Sequence, residues 1–141
     1  MRKCTSMKEI KVLFIANSFG DDTTYFMPYI AKDFDVKLVT ANLYIGGCEV
    51  FKHLNNIRND LKAYEYRLFD NDNMTWTNRN DVSIKEALLE RKWDYIVLQE
   101  ASHLSGVKDT YKLVPELILE NSKTLNYTEY HLLKPHRENM M

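Results

Sequence analysis

The sequence predicts a three-layer α/β fold, in which a parallel β-sheet lies between helices and carries an inserted β-hairpin. Short, almost wholly apolar and β-prone runs alternate with segments of helical periodicity, a pattern typical of a sheet that is buried on both faces. Uncommon polar residues follow these runs, at the strand ends where open parallel sheets bind their ligands. Both observations favour one α/β domain over residues 1–141, a length that can bury a substantial core.

The first forty residues form a predicted βαβ unit. Its strands are expected at 10–16 (I-K-V-L-F-I-A) and 36–40, and its helix at 23–33, with Asp21 or Asp22 as the N-cap. The first strand is apolar enough to lie at the centre of the sheet. Its crossover to the second strand should be right-handed.

The rest of the chain adds a hairpin, one more buried strand and further helices. Residues 64–77 predict a β-hairpin that turns at D-N-D-N and leaves the main sheet. Ser83 begins a capping-box pattern, S-I-K-E, ahead of a short helix. The other expected elements are a helix at 49–61, a strand at 95–98 and a helix at 110–122 with Pro115 in its first turn. Residues 125–141 follow no regular period.

Composition argues against several classes of function. The 19 basic and 20 acidic side chains give a net charge of −1, which provides no overall field to attract nucleic acid or an anionic membrane. Cys4 and Cys48 are too few for a disulfide framework or a metal site, so we expect two free thiols in a reducing compartment. The N-terminal apolar run is too short for a signal peptide or a membrane span, which predicts a cytoplasmic protein. No metal or cofactor is predicted.

Polar motifs follow all three predicted parallel strands. They are N-S-F-G-D-D at 17–22, N-L-Y-I-G-G at 42–47 and Q-E-A-S-H at 99–103. A serine between a strand and a helix N-terminus can be exposed to substrate, where nearby amides can bind a developing oxyanion. Ser18 occupies such a position. The alternative is that Ser18 only helps to cap the helix.

These motifs resemble a known family. The block V-L-F-I-A-N-S-F at 12–19 is similar to the first block of SGNH/GDSL-type hydrolases, in which an apolar strand leads into the nucleophilic serine. The wider set, N-S-F-G-D-D, L-Y-I-G-G-C and W-D-Y-I-V-L-Q-E-A-S, resembles a largely uncharacterised bacterial branch of SGNH proteins over residues 11–119. The resemblance implies a flavodoxin-like sheet of about five strands. Three are recognisable here, which predicts a sheet that is incomplete on its C-terminal side and a truncated gene product.

The resemblance also implies site residues. Ser18 would be the nucleophile, its backbone N–H and that of Gly46 or Gly47 would line the oxyanion hole, and the side chain of Gln99 would donate to the same oxyanion. Losing one such donor typically costs roughly 3–4 kcal/mol of barrier. The family usually has Asn in the last position, and the alternative for Gln99 is a buried amide bonded to loop backbone. The candidate substrate-binding residues at these strand ends are Asn17, Asp22, Ser102 and His103, with capping of the helix as the alternative for Asp22.

The catalytic base is the largest departure from the family. SGNH enzymes take their histidine from an Asp-x-x-His block, and none of the four histidines here follows an aspartate by three residues. Serine attack needs a base within about 3 Å of the hydroxyl in a productive complex. His103 is the best substitute, with Glu100 to orient it, and the favoured alternative is that it is a partly exposed loop histidine. His53 is expected to be a surface or packing residue, and His131 and His136 fall in the tail.

The sequence and its resemblance to the SGNH family therefore predict an esterase-like protein that forms an acyl-enzyme on Ser18. The resemblance implies a small acyl ester of a small molecule or carbohydrate as its substrate. An inactive or truncated SGNH-like binding domain is the main alternative. A nucleotide-binding α/β domain is disfavoured because no G-x-G-x-x-G or G-K-S/T loop follows the first strand. The oligomeric state is not predicted.

Overall fold

The computed structural model describes residues 8–125 and forms an α/β fold around one five-stranded mixed sheet. The strand order is β4-β3-β2-β1-β5. β1 is parallel to both of its neighbours, β2 and β5. β3 is antiparallel to both of its neighbours, β2 and β4. The strands are β1 (Lys8–Ala16), β2 (Val36–Tyr44), β3 (Tyr64–Asp70), β4 (Thr75–Val82) and β5 (Tyr95–Leu98).

Helices pack against the two faces of this sheet, as the alternation along β1 shows. Leu13 and Ile15 belong to the larger core cluster with residues of α3, α4 and α5, whereas Val12 and Phe14 belong to a smaller cluster on the side of α2. Because successive side chains of a strand point to opposite faces, one strand is buried from both sides. The helices are α1 (Ser18–Tyr25), α2 (Met27–Asp33), α3 (Val50–Arg58), α4 (Ile84–Glu90) and α5 (Val114–Thr124).

The predicted purely parallel sheet with a separate hairpin is wrong in one respect. The hairpin exists, with β3 and β4 joined by a turn at 71–74, but it belongs to the main sheet. β3 pairs antiparallel with β2, which reaches Tyr44 instead of ending at Thr40. The extra residues of β2 supply the edge with which β3 pairs, so the hairpin extends the sheet.

The helix after β1 also differs from its prediction. It begins at Ser18 rather than Thr23, and its N-cap is Asn17, not Asp21 or Asp22. Helical structure is interrupted at Phe26, and α2 then has Pro28 in its first turn. A proline ring clashes with the carbonyl four residues earlier and lacks the N–H that a continuous helix would use, which explains the break.

Local signals elsewhere are confirmed. Ser83 Oγ accepts a hydrogen bond from the Glu86 N–H at 3.1 Å as the N-cap of α4. β5 has the predicted bounds, and Pro115 lies in the first turn of α5, which follows a 3-10 helix at Lys108–Leu113. Cys48 is a buried free thiol, while Cys4 and the tail after residue 125 lie outside the described residues. None of the described helices is long and apolar enough to cross a membrane.

Candidate functional site at the strand ends

The carboxyl ends of β1, β2 and β5 are joined by the buried side chain of Asn17. Its Nδ2 donates to the carbonyl oxygen of Glu100, after β5, at 3.2 Å and to that of Cys48, after β2, at 3.4 Å. Its Oδ1 accepts from the Phe19 N–H at 3.1 Å and so caps α1. One carboxamide therefore fixes three chain segments relative to each other, and these are the segments that carry the predicted site.

Ser18 is the first residue of α1 and is exposed to solvent. The cap of this helix is Asn17, so the structure does not use the Ser18 hydroxyl as the N-cap. A side chain at this position lies near the unpaired amides and the positive end of the helix dipole. Ser18 can therefore be approached by a ligand in the location that the sequence predicts for a nucleophile.

Gly20 allows α1 to approach the sheet closely. A Cβ at this position would lie 2.7 Å from the Cβ of Ala16 and 3.1 Å from Nδ2 of Asn42. The first distance is shorter than real Cβ contacts and the second is unusually tight, so a larger residue would displace the helix start or its neighbours. The position of Ser18 over the strand ends thus depends on the glycine two residues later.

The glycines after β2 form a tight turn. The Cys48 N–H donates to the Ile45 carbonyl at 3.2 Å, and Gly47 has φ +64°, which favours glycine. Gly46 and Gly47 are both exposed, and the Cys48 carbonyl beyond them is held by Asn17. The turn is anchored while its two glycine residues face solvent.

The segment after β5 has one paired and one unpaired polar side chain. Oε1 of Glu100 accepts from the Val50 N–H at the start of α3 and from the Ala101 N–H, at 3.0 and 2.8 Å. Oε1 of Gln99 is buried and has no hydrogen-bond partner among residues 8–125. The predicted alternative, an amide satisfied by loop backbone, does not describe this oxygen. A buried carboxamide oxygen without a partner at a strand end is suited to accepting a hydrogen bond from a ligand or a water molecule.

The other predicted binding residues have different surroundings. Asp22 and Ser102 are exposed, on α1 and on the 3-10 helix Ser102–Leu104. Asn17 is buried and its amide is engaged within the protein, so its place in the site is to position the backbone. His103 is exposed and its Nε2 lies 3.2 Å from Oε1 of Glu49.

The two described histidines are in contrasting environments. His103 pairs with Glu49 rather than with the expected Glu100, because the Glu100 carboxylate caps backbone amides instead. His53 is fully buried on α3, and its Nδ1 lies 2.6 Å from the hydroxyl of Tyr64. His103 is therefore the described histidine that solvent can reach, while His53 is the packing residue that the sequence predicts. His131 and His136 lie outside the described residues.

His53 belongs to a buried polar cluster behind the glycine turn. Asn56 Nδ2 donates to the Tyr64 hydroxyl at 3.1 Å, and Sγ of Cys48 lies 3.6 Å from His53 Nδ1. Burial lowers the pKa of His53 to about 4 and raises the pKa of the Cys48 thiol to about 11. Burial also raises the pKa of Tyr64. All three groups are therefore neutral at neutral pH.

An ion-pair cluster that the sequence analysis missed links α1 to the hairpin. The Asp21 carboxylate accepts hydrogen bonds from Asn42 Nδ2 and from the guanidinium of Arg67 on β3. That guanidinium lies 3.9 Å from the centre of the Tyr44 ring and also bonds Glu65 at 2.9 Å. Burial lowers the pKa of Arg67. No local sequence signal pairs residues 21 and 67, because their contact requires β3 to join the sheet.

The described residues contain no group of three or more His, Cys, Asp or Glu side chains arranged to hold a metal ion. The donors at the three strand ends are backbone amides, a serine hydroxyl and a carboxamide. Such groups stabilise negative charge on oxygen by hydrogen bonding, which suits acyl transfer.

Comparison with known proteins identifies one family. A family model described as Domain of unknown function (DUF4886) matches residues 11–132. The chain is also similar to the crystal structure of a DUF4886 family protein from Bacteroides uniformis ATCC 8492, with 38% sequence identity and a TM-score of 0.79. This similarity covers 83% of the chain and 46% of that protein, so the chain spans about half of its length. No curated protein matches the chain.

Proposed function

The chain belongs to the DUF4886 family, and within this family we propose that it is a serine esterase-like protein that hydrolyses a small acyl ester through an acyl-enzyme on Ser18. One observation carries the proposal. The side chain of Asn17 holds the start of α1, the glycine turn and the segment after β5 together, while Ser18 itself remains exposed. The same proposal includes a relationship to the SGNH/GDSL hydrolases, which these motifs resemble. It also includes an SGNH-type, flavodoxin-like sheet.

In the proposed reaction, Ser18 Oγ attacks the ester carbonyl carbon and loses its proton to a base. The Ser18 N–H and that of Gly46 or Gly47 donate to the oxyanion, with the Gln99 carboxamide as a further donor. Collapse of the tetrahedral intermediate breaks the bond to the alcohol oxygen, which takes up a proton as it leaves. Water then attacks the acyl-enzyme, releasing the carboxylic acid and restoring the serine hydroxyl.

Within the described residues, we propose His103 as the base. Its ring is exposed, and Oε1 of Glu49 lies 3.2 Å from Nε2, so that a carboxylate can stabilise the imidazolium formed on proton transfer. His53 is unsuited because burial lowers its pKa to about 4 and its Nδ1 is bonded to Tyr64.

Hydrolysis of p-nitrophenyl acetate by the purified chain tests the proposal. Ser18→Ala should reduce the rate at least 100-fold, because the nucleophile is lost, whereas the matched control Ser105→Ala, another exposed serine, should hydrolyse the ester as the unmodified chain does. A fluorophosphonate should label the unmodified chain at residue 18 and leave Ser18→Ala unlabelled. Equal rates for the unmodified chain and Ser18→Ala would refute the proposal.

The second candidate is a binding domain that has the polar groups at the strand ends without catalysis, and one observation favours it. The sequence has no Asp-x-x-His block to supply the histidine that SGNH enzymes use as their base. His103→Gln separates the cases. A large loss of rate assigns the base to His103, while an unchanged, Ser18-dependent rate assigns it to another group. Absence of any Ser18-dependent hydrolysis, with an intact fold, favours the binding domain.

A further inference from the structure

A cavity of about 420 Å³, widely open to solvent, lies at the surface beside the glycine turn, and no step of the proposed reaction uses it. Tyr44 and Ile45 form one wall, and Glu65, Asn80 and Asp81 contribute polar groups from the hairpin. Its volume is in the range of pockets that take small ligands. A cavity of this size next to a candidate nucleophile can hold part of a substrate.

The cavity and Ser18 lie at the same end of the strands, where β1 and β2 terminate. Ala16 at the end of β1 pairs in register with Tyr44 on β2, and Tyr44 pairs with Glu65 on β3. Ser18 follows Ala16 by two residues, so one line across adjacent strands leads from the serine to the cavity. The glycine turn is contiguous with it as well, because a Cβ on Gly46 would lie 3.2 Å from the Tyr44 hydroxyl.

A β-bulge places the polar groups of the far wall. Tyr64 pairs with Val82 and Tyr66 with Arg79, so that two residues, Asn80 and Asp81, face Glu65 alone. Asp81 has φ +58°, an uncommon conformation for a residue with a side chain. Bulges redirect side chains at the edges of sheets and beside active sites. Here the extra residue brings a carboxamide and a carboxylate to the same cavity.

The lining indicates what kind of ligand the cavity takes. The carboxylates of Glu65 and Asp81 are hydrogen-bond acceptors, and the carboxamide of Asn80 adds an oxygen acceptor and an NH₂ donor. The lining contains no basic side chain among the described residues. Arg67 bonds Glu65, while Asp81 has no ion-pair partner within residues 8–125. These walls favour a ligand with several hydroxyl donors and disfavour an anion.

We propose that this cavity is the alcohol subsite of the enzyme and binds an uncharged polyhydroxylated group, such as a sugar ring, through Asp81, Asn80 and Glu65. This inference rests on the proposed esterase function, which it deepens by naming the alcohol side of the substrate. In this arrangement the ester carbonyl lies over the glycine turn. The hydroxyl-rich alcohol extends across the strand ends towards the hairpin.

The kinetic test compares two acetyl esters. Asp81→Asn keeps the side-chain shape and suits the left-handed backbone, but removes the charge. It should lower kcat/KM for methyl 6-O-acetyl-α-D-glucopyranoside about tenfold and leave p-nitrophenyl acetate within about twofold, since only the former has hydroxyls for the subsite. Asp72→Asn is the matched control, because Asp72 is exposed in the turn at the opposite end of the hairpin; it should alter neither rate. Equal effects of Asp81→Asn on both esters would overturn the subsite.

A binding measurement separates failure of the subsite from failure of the esterase. Methyl α-D-glucopyranoside added to ¹⁵N-labelled Ser18→Ala protein should shift the amide signals of Glu65, Asn80 and Asp81, and glucose 6-phosphate should shift them much less. When Asp81→Asn is added to this protein, the dissociation constant obtained from the titration should rise about tenfold. Shifts without hydrolysis by the unmodified chain would retain the subsite and refute the esterase. Hydrolysis without shifts at these residues would refute the subsite alone.

Discussion

Nδ2 of Asn17 donates to the backbone carbonyl of Glu100 at 3.2 Å, across 83 positions of sequence. The same nitrogen donates to the Cys48 carbonyl, and the side-chain oxygen caps α1. Because this carboxamide is buried, each of its bonds replaces one that water would otherwise make. The strand ends are therefore joined by a residue adjacent to the candidate nucleophile, and its loss should affect stability before it affects chemistry.

Asn17→Ala should destabilise the protein by roughly 2–4 kcal/mol, because it removes an N-cap and leaves two buried carbonyl groups without a donor. The measurement is urea unfolding. The urea concentration at the midpoint should fall, while the m-value, the slope of the unfolding free energy against urea concentration, should not change. Asn59→Ala is the control, since the Asn59 amide bonds only within the exposed end of α3. A loss no larger than that of the control would contradict the structural role of Asn17.

Gly20→Ala should cost roughly 1–3 kcal/mol of stability, since its Cβ would lie 2.7 Å from the Cβ of Ala16 against the sheet. Gly106→Ala is the matched control, because nothing lies within 4 Å of a Cβ at that position. The control should be neutral or more stable by about 0.4–1 kcal/mol, through reduced freedom of the unfolded chain. Thermal unfolding of both variants checks the contrast, and equal melting temperatures would contradict the close packing of α1.

Local sequence signals predicted the elements that depend on neighbouring residues. Ser83 and Glu86 lie three positions apart, so a capping pattern was sufficient to place the start of α4. β1 was equally clear because its run of apolar residues is buried on both faces. The sequence also predicted that Ser18 lies just after β1, but it placed the residue in a turn before a helix at 23, whereas Ser18 is the first residue of α1.

Contacts between distant residues were the ones that the sequence could not predict. The pairing of β3 with β2 depends on residues 41–44 remaining extended, and Asn42 in this stretch is not typical of a strand. The sequence predicted Asp21 or Asp22 as the N-cap of the first helix, whereas the N-cap is Asn17. The Glu100 carboxylate was expected to orient His103, but it bonds the Val50 N–H, fifty residues away. Such partners are fixed by tertiary packing and leave no local pattern.

Stability should fall as the pH is lowered from 6.5 towards 4 because of His53. Burial lowers its folded pKa to about 4 from an ordinary value of 6.5, so in this interval the unfolded chain binds a proton that the folded protein does not. More than about one pH unit above 6.5 both states are neutral and the effect is absent. Between pH 7.0 and 5.5 the loss from this group should be about 1 kcal/mol. Urea unfolding at the two pH values measures it.

Two variants separate His53 from other titrating groups. His53→Gln should flatten the pH dependence of stability between 7.0 and 5.5, although it lowers stability overall by disturbing the bond to Tyr64. His103→Gln changes an exposed histidine and should keep the dependence of the unmodified chain. A slope that persists in His53→Gln would assign the proton uptake to a different residue.

Cys48 should resist thiol reagents in the folded protein. Its side chain is buried, and burial raises its pKa to about 11, so the reactive thiolate is scarce at neutral pH. In a Cys4→Ser background, which leaves one thiol, reaction with 5,5′-dithiobis(2-nitrobenzoate) at pH 7.5 should be at least 100-fold slower in buffer than in 6 M guanidinium chloride. The Asn17→Ala variant of this background should react faster in buffer, because the Cys48 carbonyl loses its anchor and the turn opens more often. Equal native-state rates in the two proteins would show that Asn17 does not restrain the glycine turn, and would remove the link between this carboxamide and the geometry of the candidate site.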